Sequence, residues 1–340
     1  MLKERGVLPK LSFFVPTFAI AAAIVGGSGD VGERCLSVLM DVDTGSDDAL
    51  AIALAASLPN VCIEAVTVVE GNRNLSTAYD NTLKVLSVLN RTDVPVYRGA
   101  DQPIRNHWNY MNDYFVSGSS NDLQTPAFLE MIELVKKGLQ TLIILAPLTN
   151  VATALLIEPD LLSNAEHVYI MGGNLYGVGN ALPAAEFNFF TDPEAARAFL
   201  ERVTCPVTIV PWEACLQGMV PWDTYCSVAN KTGPLQEFLR NVTAGNYQYC
   251  PSGKDGSRGV NVSDFLTLLA AVAPESVART LEHRVDVELA GVYTRGQLVH
   301  AWEPQMLPHV KRNVTIVERF DDSIVTKYFR DTFDPPERGA

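Results

Sequence analysis

The strongest constraint on the fold is a regular alternation of short apolar runs, rich in β-branched residues, with longer amphipathic segments. The apolar runs predict strands at Leu36–Asp41, Val61–Val69, Val94–Tyr97, Thr141–Leu145, His167–Met171 and Val207–Val210. The amphipathic segments predict a helix from near Asp47 and helices at Thr77–Leu89, Phe128–Lys137, Asn150–Leu156 and Pro193–Glu201. Strands that alternate with helices form βαβ units, which build parallel sheets covered on both faces. We therefore predict an α/β fold with an open, mainly parallel sheet and helices on both of its faces.

Length and charge narrow the class further. A chain of 340 residues is compatible with about two domains or with one large α/β domain. No repeat or low-complexity linker divides it, so we predict one domain over residues 30–340, with the segment from about Gly218 to Gly259 lying over the sheet. The 26 Lys and Arg against 39 Asp and Glu give a net charge of −13, and no basic stripe is present to bind a nucleic acid polymer.

The N-terminus has the order of a secretory signal. Lys3, Arg5 and Lys10 precede the apolar run Leu11–Val25, and the small residues Gly26–Gly29 follow it. Because a membrane-spanning helix needs about 20 apolar residues, this run is short for a stable span. We predict a signal peptide over residues 1–29 and a secreted protein; the alternatives are an uncleaved anchor and a segment that only resembles a leader.

Sequons and cysteines agree with secretion. Six N-x-[ST] sequons begin at Asn74, Asn90, Asn230, Asn241, Asn261 and Asn313. The six cysteines are Cys35, Cys62, Cys205, Cys215, Cys226 and Cys250, and no C-x-x-C pair indicates a zinc or thioredoxin site. The last four are close enough in sequence to form one or two disulfides, while buried free thiols are the alternative.

An acidic turn follows the first predicted strand. Asp41, Asp43, Asp47 and Asp48 fall within eight residues, between an apolar strand and an apolar helix. Such carboxylates repel one another strongly unless a cation or many hydrogen bonds offset their charge. An oxygen-liganded cation such as Ca²⁺ or Mg²⁺ fits this turn, and a solvated helix cap is the alternative.

Polar residues also follow the other predicted strands, where ligands bind in open α/β sheets. The segments are Glu70–Asn72, Ala146–Asn150, Met171–Asn174, Gly179–Asn180, Ala185–Asn188 and Thr191–Glu194. Their amide and carboxylate side chains suit the vicinal hydroxyls of a sugar, and their glycines allow close approach of the backbone.

Together these motifs resemble the inosine–uridine-preferring nucleoside hydrolases from about Leu36 to Phe329, and we expect a secreted, metazoan-like member. The resemblance implies a Ca²⁺-dependent N-ribohydrolase that splits ribonucleosides into base and ribose. It implies that Asp43, Asp48 and Asp264 bind Ca²⁺ through carboxylates and Thr149 through its main-chain carbonyl. Asp43 would also be the general base for a Ca²⁺-bound water.

The same resemblance implies a ribose site. The residues expected to hold the hydroxyls are Asp47 and Asn72 at the 2′ side, Asn180, Glu186 and Asn188 at the 3′ and 5′ sides, and Asp264 at the 3′ side. Met171 would lie under the ring. The family also implies a homo-oligomer, either a dimer or a tetramer.

The chain departs from the family on the base side. Broad-specificity members carry His immediately before the distal metal Asp and purine-preferring members carry Trp, whereas this chain has Ser263. A hydroxyl is a poor proton donor at neutral pH. His107 and Trp108 in an aromatic loop, and Tyr247, are candidates to face the base, and they favour a purine-leaning enzyme. We expect the Asn261 sequon, three residues before Asp264, to carry no glycan.

Two alternatives remain. Ser263 and the altered loop are compatible with an inactive, Ca²⁺-stabilised nucleoside-binding protein. Asp41-Val42-Asp43-Thr44 superficially fits the opening motif of aspartyl-phosphate phosphatases, although the Asp47-Asp48 pair does not.

Overall fold

A computed structural model describes residues 35–105, 125–250, 257–303 and 305–336. The strands of these residues are β1 Leu36–Val42, β2 Val61–Val68, β3 Val96–Arg98, β4 Thr141–Ile144, β5 His167–Met171, β6 Val207–Val210, β7 Val220–Pro221, β8 Gly259–Val260, β9 Val277–His283, β10 Val285–Val287, β11 Leu298–His300 and β12 Val314–Phe320. The helices are α1 Ser46–Ser57, α2 Leu75–Val88, α3 Ala127–Lys136, α4 Thr149–Ile157, α5 Phe187–Thr191, α6 Pro193–Arg202, α7 Trp212–Gln217, α8 Trp222–Ala229, α9 Pro234–Val242, α10 Ala244–Tyr247, α11 Ser263–Val272 and α12 Asp322–Phe333.

The central sheet has eight strands in the order β3-β2-β1-β4-β5-β6-β12-β9. The pairs from β3 to β12 are parallel, and β9 pairs antiparallel with β12 at one end. The predicted open, mainly parallel sheet is confirmed. The sequence analysis assigned neither β9 nor β12, because charged residues interrupt both strands and only β12 has a mainly buried pattern.

Two apolar cores cover the two faces of the sheet. Alternate residues of β1 belong to different cores: Met40 packs with α1 and α11, while Leu39 packs with α3, α4 and α6. Since strand side chains alternate between faces, this division places helices on both sides. Tyr225 and Leu239 join the core of Met40, so residues 218–250, within the segment predicted to lie over the sheet, pack over that face.

The predicted helix and strand positions agree with the structure to within a few residues. The largest displacement of a strand is at β3, which begins at Val96 rather than at Val94. Disulfides join Cys35 to Cys62 and Cys226 to Cys250. Cys205 and Cys215 are buried free thiols, so one disulfide forms among the last four cysteines.

The described part of the chain contains no helix long and apolar enough to cross a membrane. The predicted signal peptide, residues 1–29, lies outside the described residues.

Candidate active site

The acidic turn between β1 and α1 is built by its own carboxylates. Asp48, in the first turn of α1, accepts hydrogen bonds from the backbone N–H of Asp43 at 3.2 Å and of Gly45 at 2.8 Å. Asp43 and Asp48 are buried, and Asp47 is half-buried. The turn is therefore closed by an acidic residue whose carboxylate also faces the site.

Helix α11 brings a distant carboxylate to this turn. Asp264 lies in the first turn of α11, which packs against α1. Carboxylate oxygens of Asp47, Asp48 and Asp264 lie within 4.8 Å of one another, and we call these three residues the acidic cluster. The predicted association of Asp264 with the acidic turn is thus present in the structure.

Burial and mutual repulsion raise the pKa values of these carboxyls. Burial raises the pKa of Asp48 to about 7, and the charge of Asp47 adds to the effect. Burial, followed by the charges of Asp47, Asp48 and Asp43, raises the pKa of Asp264 well above its ordinary value. The pKa of Asp43 is raised by burial and then by the charge of Asp48. Each of these groups would gain from a nearby positive charge.

Asn72 holds Asp43 through both carboxylate oxygens. Its backbone N–H donates to Oδ2 at 2.6 Å, and its side-chain Nδ2 donates to Oδ1 at 3.2 Å. Gly71 makes this approach possible, because a Cβ there would lie 2.0 Å from Oδ2 of Asp43. Asp43 and Asn72 are therefore neighbours.

Three of the predicted ribose-side residues meet at the ends of β4 and β5: Met171, Glu186 and Asn188. The Nδ2 group of Asn188 donates to the main-chain oxygens of Leu145 at 3.0 Å and Met171 at 3.1 Å. Glu186 accepts backbone hydrogen bonds from Gly173 at 2.9 Å and from Asn188 at 2.8 Å. Glu186 is buried, and burial raises its pKa to about 7. Its carboxylate also caps α5, a structural role that the sequence analysis did not assign.

Cys215 relates this ribose-side group to the acidic cluster. The buried thiol on α7 is close enough for the charges of Glu186 and Asp47 to raise its pKa, after the larger effect of burial. Sequence reasoning did not single out this thiol, because nothing in the local sequence distinguishes it from a core residue.

Thr149 begins α4 at the end of β4. Its hydroxyl donates to Oδ2 of Asp192 at 2.7 Å, and its main-chain oxygen accepts a hydrogen bond from the Thr153 hydroxyl at 2.7 Å. The neighbouring Asn150 donates to Oδ1 of Asp41 at 2.9 Å. Asp41 and Asn150 thus support the strand ends beneath the acidic turn.

The remaining predicted residues are less connected to this site. Asn180 is exposed, and its backbone N–H donates to Ala185 O at 3.2 Å. Tyr247 donates its hydroxyl to Asn230 at 3.1 Å and lies beside Arg240. The structure gives neither side chain a contact with the acidic cluster. His107 and Trp108 lie outside the described residues.

The acidic cluster fits a hard divalent cation. Its donors are all carboxylate oxygens, which Ca²⁺ and Mg²⁺ prefer. None of the ion pairs among the described residues involves Asp43 or any member of the cluster. A buried group of acids with no basic partner is costly, and a bound cation offsets that cost.

Comparisons with known proteins identify relatives over most of the chain. The family model described as inosine-uridine preferring nucleoside hydrolase matches residues 38–327. A pyrimidine-specific ribonucleoside hydrolase RihA from Escherichia coli O127:H6 is 33% identical over 279 residues, covering 78% of this chain and 88% of the relative.

Solved structures show the same fold. An inosine-guanosine nucleoside hydrolase superposes with a TM-score of 0.77 at 30% identity, covering 88% of this chain and 98% of the other. The plant nucleoside hydrolase PpNRh1 gives a TM-score of 0.77 at 24% identity, covering 88% and 99%. The extent of the family match and the identity to RihA show that this chain belongs to the inosine-uridine preferring nucleoside hydrolase family.

Proposed function

We propose that the chain hydrolyses the N-glycosidic bond of ribonucleosides to release free base and ribose, with Asp43 as general base. The observation that carries this proposal is the position of Asp43, a buried carboxylate held by Asn72 next to the acidic cluster. Family membership and the ribonucleoside hydrolases among the relatives support the reaction class.

The residues of the site suit each part of this reaction. Burial and the charge of Asp48 raise the pKa of Asp43, which makes it a stronger proton acceptor than an ordinary carboxylate. Breaking the glycosidic bond builds positive charge on the ribose, which carboxylates beside the ring stabilise. Asn72, Glu186 and Asn188 would hold hydroxyls and position the anomeric carbon, together with Asp47 and Asp264.

We propose Ca²⁺ as the cation, held by the carboxylates of Asp43, Asp48 and Asp264 and the main-chain carbonyl of Thr149. A mixed set of carboxylate and carbonyl donors suits Ca²⁺, which takes six to eight oxygen ligands, better than Mg²⁺, which usually keeps several waters. The cation would supply Lewis-acid activation of the attacking water by lowering its pKa.

The experiment is release of reducing sugar from inosine, guanosine, adenosine, uridine and cytidine, with and without a chelator. We expect turnover that the chelator abolishes and that Ca²⁺ restores. Turnover of none of these nucleosides would refute the catalytic proposal, and full activity after complete metal removal would refute the metal.

One variant tests the role of Asp43 as general base separately from any role in the fold. Asp43→Asn should lower kcat by at least about 100-fold, because general base catalysis contributes roughly 10²- to 10⁴-fold. Asp93→Asn, at an exposed carboxylate paired with Arg91, is the matched control and should keep wild-type activity. Unchanged kcat in Asp43→Asn would show that another group accepts the proton.

We propose a purine-leaning preference, supported by the aromatic candidates His107, Trp108 and Tyr247. The relatives differ in this respect. RihA is named a pyrimidine-specific hydrolase, whereas one of the similar solved structures is named an inosine-guanosine nucleoside hydrolase. The same substrate panel decides the preference through kcat/KM, and a higher value for uridine than for inosine would reverse it.

A second candidate is an inactive nucleoside-binding protein, which Ser263 favours. Its hydroxyl donates to Oδ1 of Asn261 at 2.6 Å, so its proton is engaged within the protein. Calorimetry with inosine distinguishes the two: this candidate binds nucleoside saturably and forms no product.

We also propose secretion after cleavage of residues 1–29, with residues 30–340 as a single domain. Two disulfides support an oxidising compartment. Five sequon asparagines are exposed, and only Asn261 is half-buried. Expression in secreting eukaryotic cells, followed by N-terminal sequencing and glycopeptide mass spectrometry, tests cleavage and an unmodified Asn261.

Light scattering tests the proposed dimer or tetramer. The metazoan-like character stays a prediction.

A further inference from the structure

Glu213 binds three backbone N–H groups of the loop that follows β5. This residue lies in the first turn of α7, and its Oε2 accepts the N–H of Leu175 at 2.8 Å. Its Oε1 accepts the N–H of Tyr176 at 2.8 Å and that of Val178 at 3.0 Å. Both oxygens of this half-buried side chain are therefore used by a segment at least 35 residues away in the sequence.

The loop has little shape of its own to keep it in place. Gly173 and Gly177 have positive φ values of 67° and 78°. Glycine adopts such conformations freely but does not prefer them, so contacts from outside must hold a segment that uses them. Tyr176 and Val178 are exposed, and burial does little to fix them. The hydrogen bonds to Glu213 are therefore a main restraint on this part of the loop.

The loop held by α7 also holds Glu186. Gly173 lies between the two, because its N–H donates to Oε2 of Glu186 at 2.9 Å and its carbonyl accepts the N–H of Trp212 at 3.0 Å. Trp212 and Glu213 are the first two residues of α7. A shift of the loop relative to α7 would therefore move the Glu186 carboxylate.

We propose that Glu213 is a positioning residue for the ribose side of the site. It fixes the loop after β5 against α7, and through Gly173 it sets the position of the Glu186 carboxylate. Glu213 takes no part in the chemistry and acts only through the backbone that it holds. The inference rests on the proposed function in one respect, that Glu186 holds a ribose hydroxyl.

The first measurement is hydrogen exchange of the loop amides, by mass spectrometry of peptides that cover residues 174–180. In Glu213→Gln the side-chain nitrogen cannot accept a hydrogen bond, so at least one of the three bonds is lost. Exchange of the freed amide should be at least about 10-fold faster, because hydrogen bonds to charged groups are among the stronger ones. Glu237→Gln is the matched control, since Glu237 is an exposed acid in the first turn of α9, and it should leave this exchange unchanged.

The second measurement is kcat/KM for a parent nucleoside, either inosine or uridine, and for its 5′-deoxy and 3′-deoxy derivatives. Glu213→Gln should lower the value for the parent by about 10- to 100-fold, since a displacement of about 1 Å can cost about 100-fold. The loss should be at least about 3-fold smaller for the derivative that lacks the hydroxyl held by Glu186, because this contact is already absent. A variant that was merely less stable would lose the same factor on all three substrates.

Glu213→Asp provides a second variant. It keeps both acceptor oxygens on a side chain that is one methylene shorter, so it should show the same pattern with smaller losses. It decides the question if Glu213→Gln fails to fold.

Unchanged amide exchange in the folded variant would overturn the inference, as would an equal loss on all three substrates. If the wild-type protein turns over none of them, calorimetry compares their Kd values in the same way. A larger loss of affinity for the parent than for one derivative would then support the inference and refute the proposed function. A wild-type protein that neither binds nor turns over the parent would overturn both.

Discussion

At the scale of single residues, Glu186 combines a structural and a proposed binding task. Its carboxylate accepts backbone N–H groups of Gly173, Asn188 and Phe189, and burial still raises its pKa to about 7. A ribose hydroxyl that reaches this carboxylate would share oxygens already used by the turn after β5. The site is thus held in shape by one of the groups proposed to contact substrate.

The raised pKa of Glu186 predicts a pH dependence of stability. The folded-state pKa of about 7 exceeds the ordinary 4.5, so the folded protein binds more protons between these values. The contribution of Glu186 to the free energy of unfolding is fully present below about pH 4.5. It is lost as pH rises towards about 7, at up to about 1.4 kcal/mol per pH unit.

Urea unfolding of Glu186→Gln at several pH values tests this. The variant is less stable than the wild type at pH 5, because its amide cannot accept from every backbone N–H, and the difference should narrow towards pH 7.5. For Glu133→Gln, on the exposed side of α3, the free energy of unfolding should change with pH as it does in the wild type. A constant difference across the range would contradict the assignment.

Residues within one turn were predictable, and residues joined by packing were not. Asp43, Asp47 and Asp48 are close in sequence, so their pattern alone indicated a shared site. Asp264 required the family resemblance. Cys215 gave no signal, since its neighbourhood depends on how α7 packs against α11.

At the scale of secondary-structure elements, the turns after the strands set the geometry of the site. Gly71, after β2, is a tight case at the site, because a Cβ would lie 2.0 Å from Asp43 Oδ2. The carboxylate has little room to yield, since Asn72 holds it through both oxygens. This turn is therefore matched to the position of the proposed base.

Gly71→Ala should displace Asp43 or the turn. We expect kcat to fall by at least about 10-fold and stability by about 1–3 kcal/mol, the usual cost of overpacking. Gly245→Ala is the control, because a Cβ in α10 meets nothing within 4 Å. Initial rates and urea unfolding measure both effects; wild-type kinetics in Gly71→Ala would show that the site accommodates the methyl group.

The strands up to Val210 were predictable because their apolar runs are largely buried, and α1 to α4 and α6 because of their amphipathic pattern. The short helix α5 was not predicted. The C-terminal strands were not predictable. β9 is largely exposed and carries Arg279 and Glu282, so its sequence lacks the apolar run of a central strand. Edge strands are defined by their partner, which the local sequence does not reveal.

At the scale of the whole molecule, part of the net negative charge is concentrated in the acidic cluster. The net charge of −13 is mostly a surface property, but the acidic cluster is buried or half-buried, where screening by solvent is weak. The folded protein therefore carries a repulsion that a bound cation removes.

Ca²⁺ should accordingly raise the thermal unfolding midpoint, and a chelator should lower it. At a free Ca²⁺ concentration 100 times Kd the gain is about 2.7 kcal/mol by linkage. Asp264→Asn should lose most of this Ca²⁺-dependent gain, and K⁺ at equal ionic strength should not replace it. Calorimetric scans measure both; a midpoint that does not respond to Ca²⁺ would contradict the metal site.

The ends of the central sheet limit how copies of this chain can associate. β3 offers only three residues at one end, and β9 presents charges of both signs at the other. Short or charged edges resist pairing with another sheet. A dimer or tetramer would then bury helix and loop surfaces rather than extend the sheet across its interface. In such an assembly the strand ends that carry the proposed site would stay free in each copy.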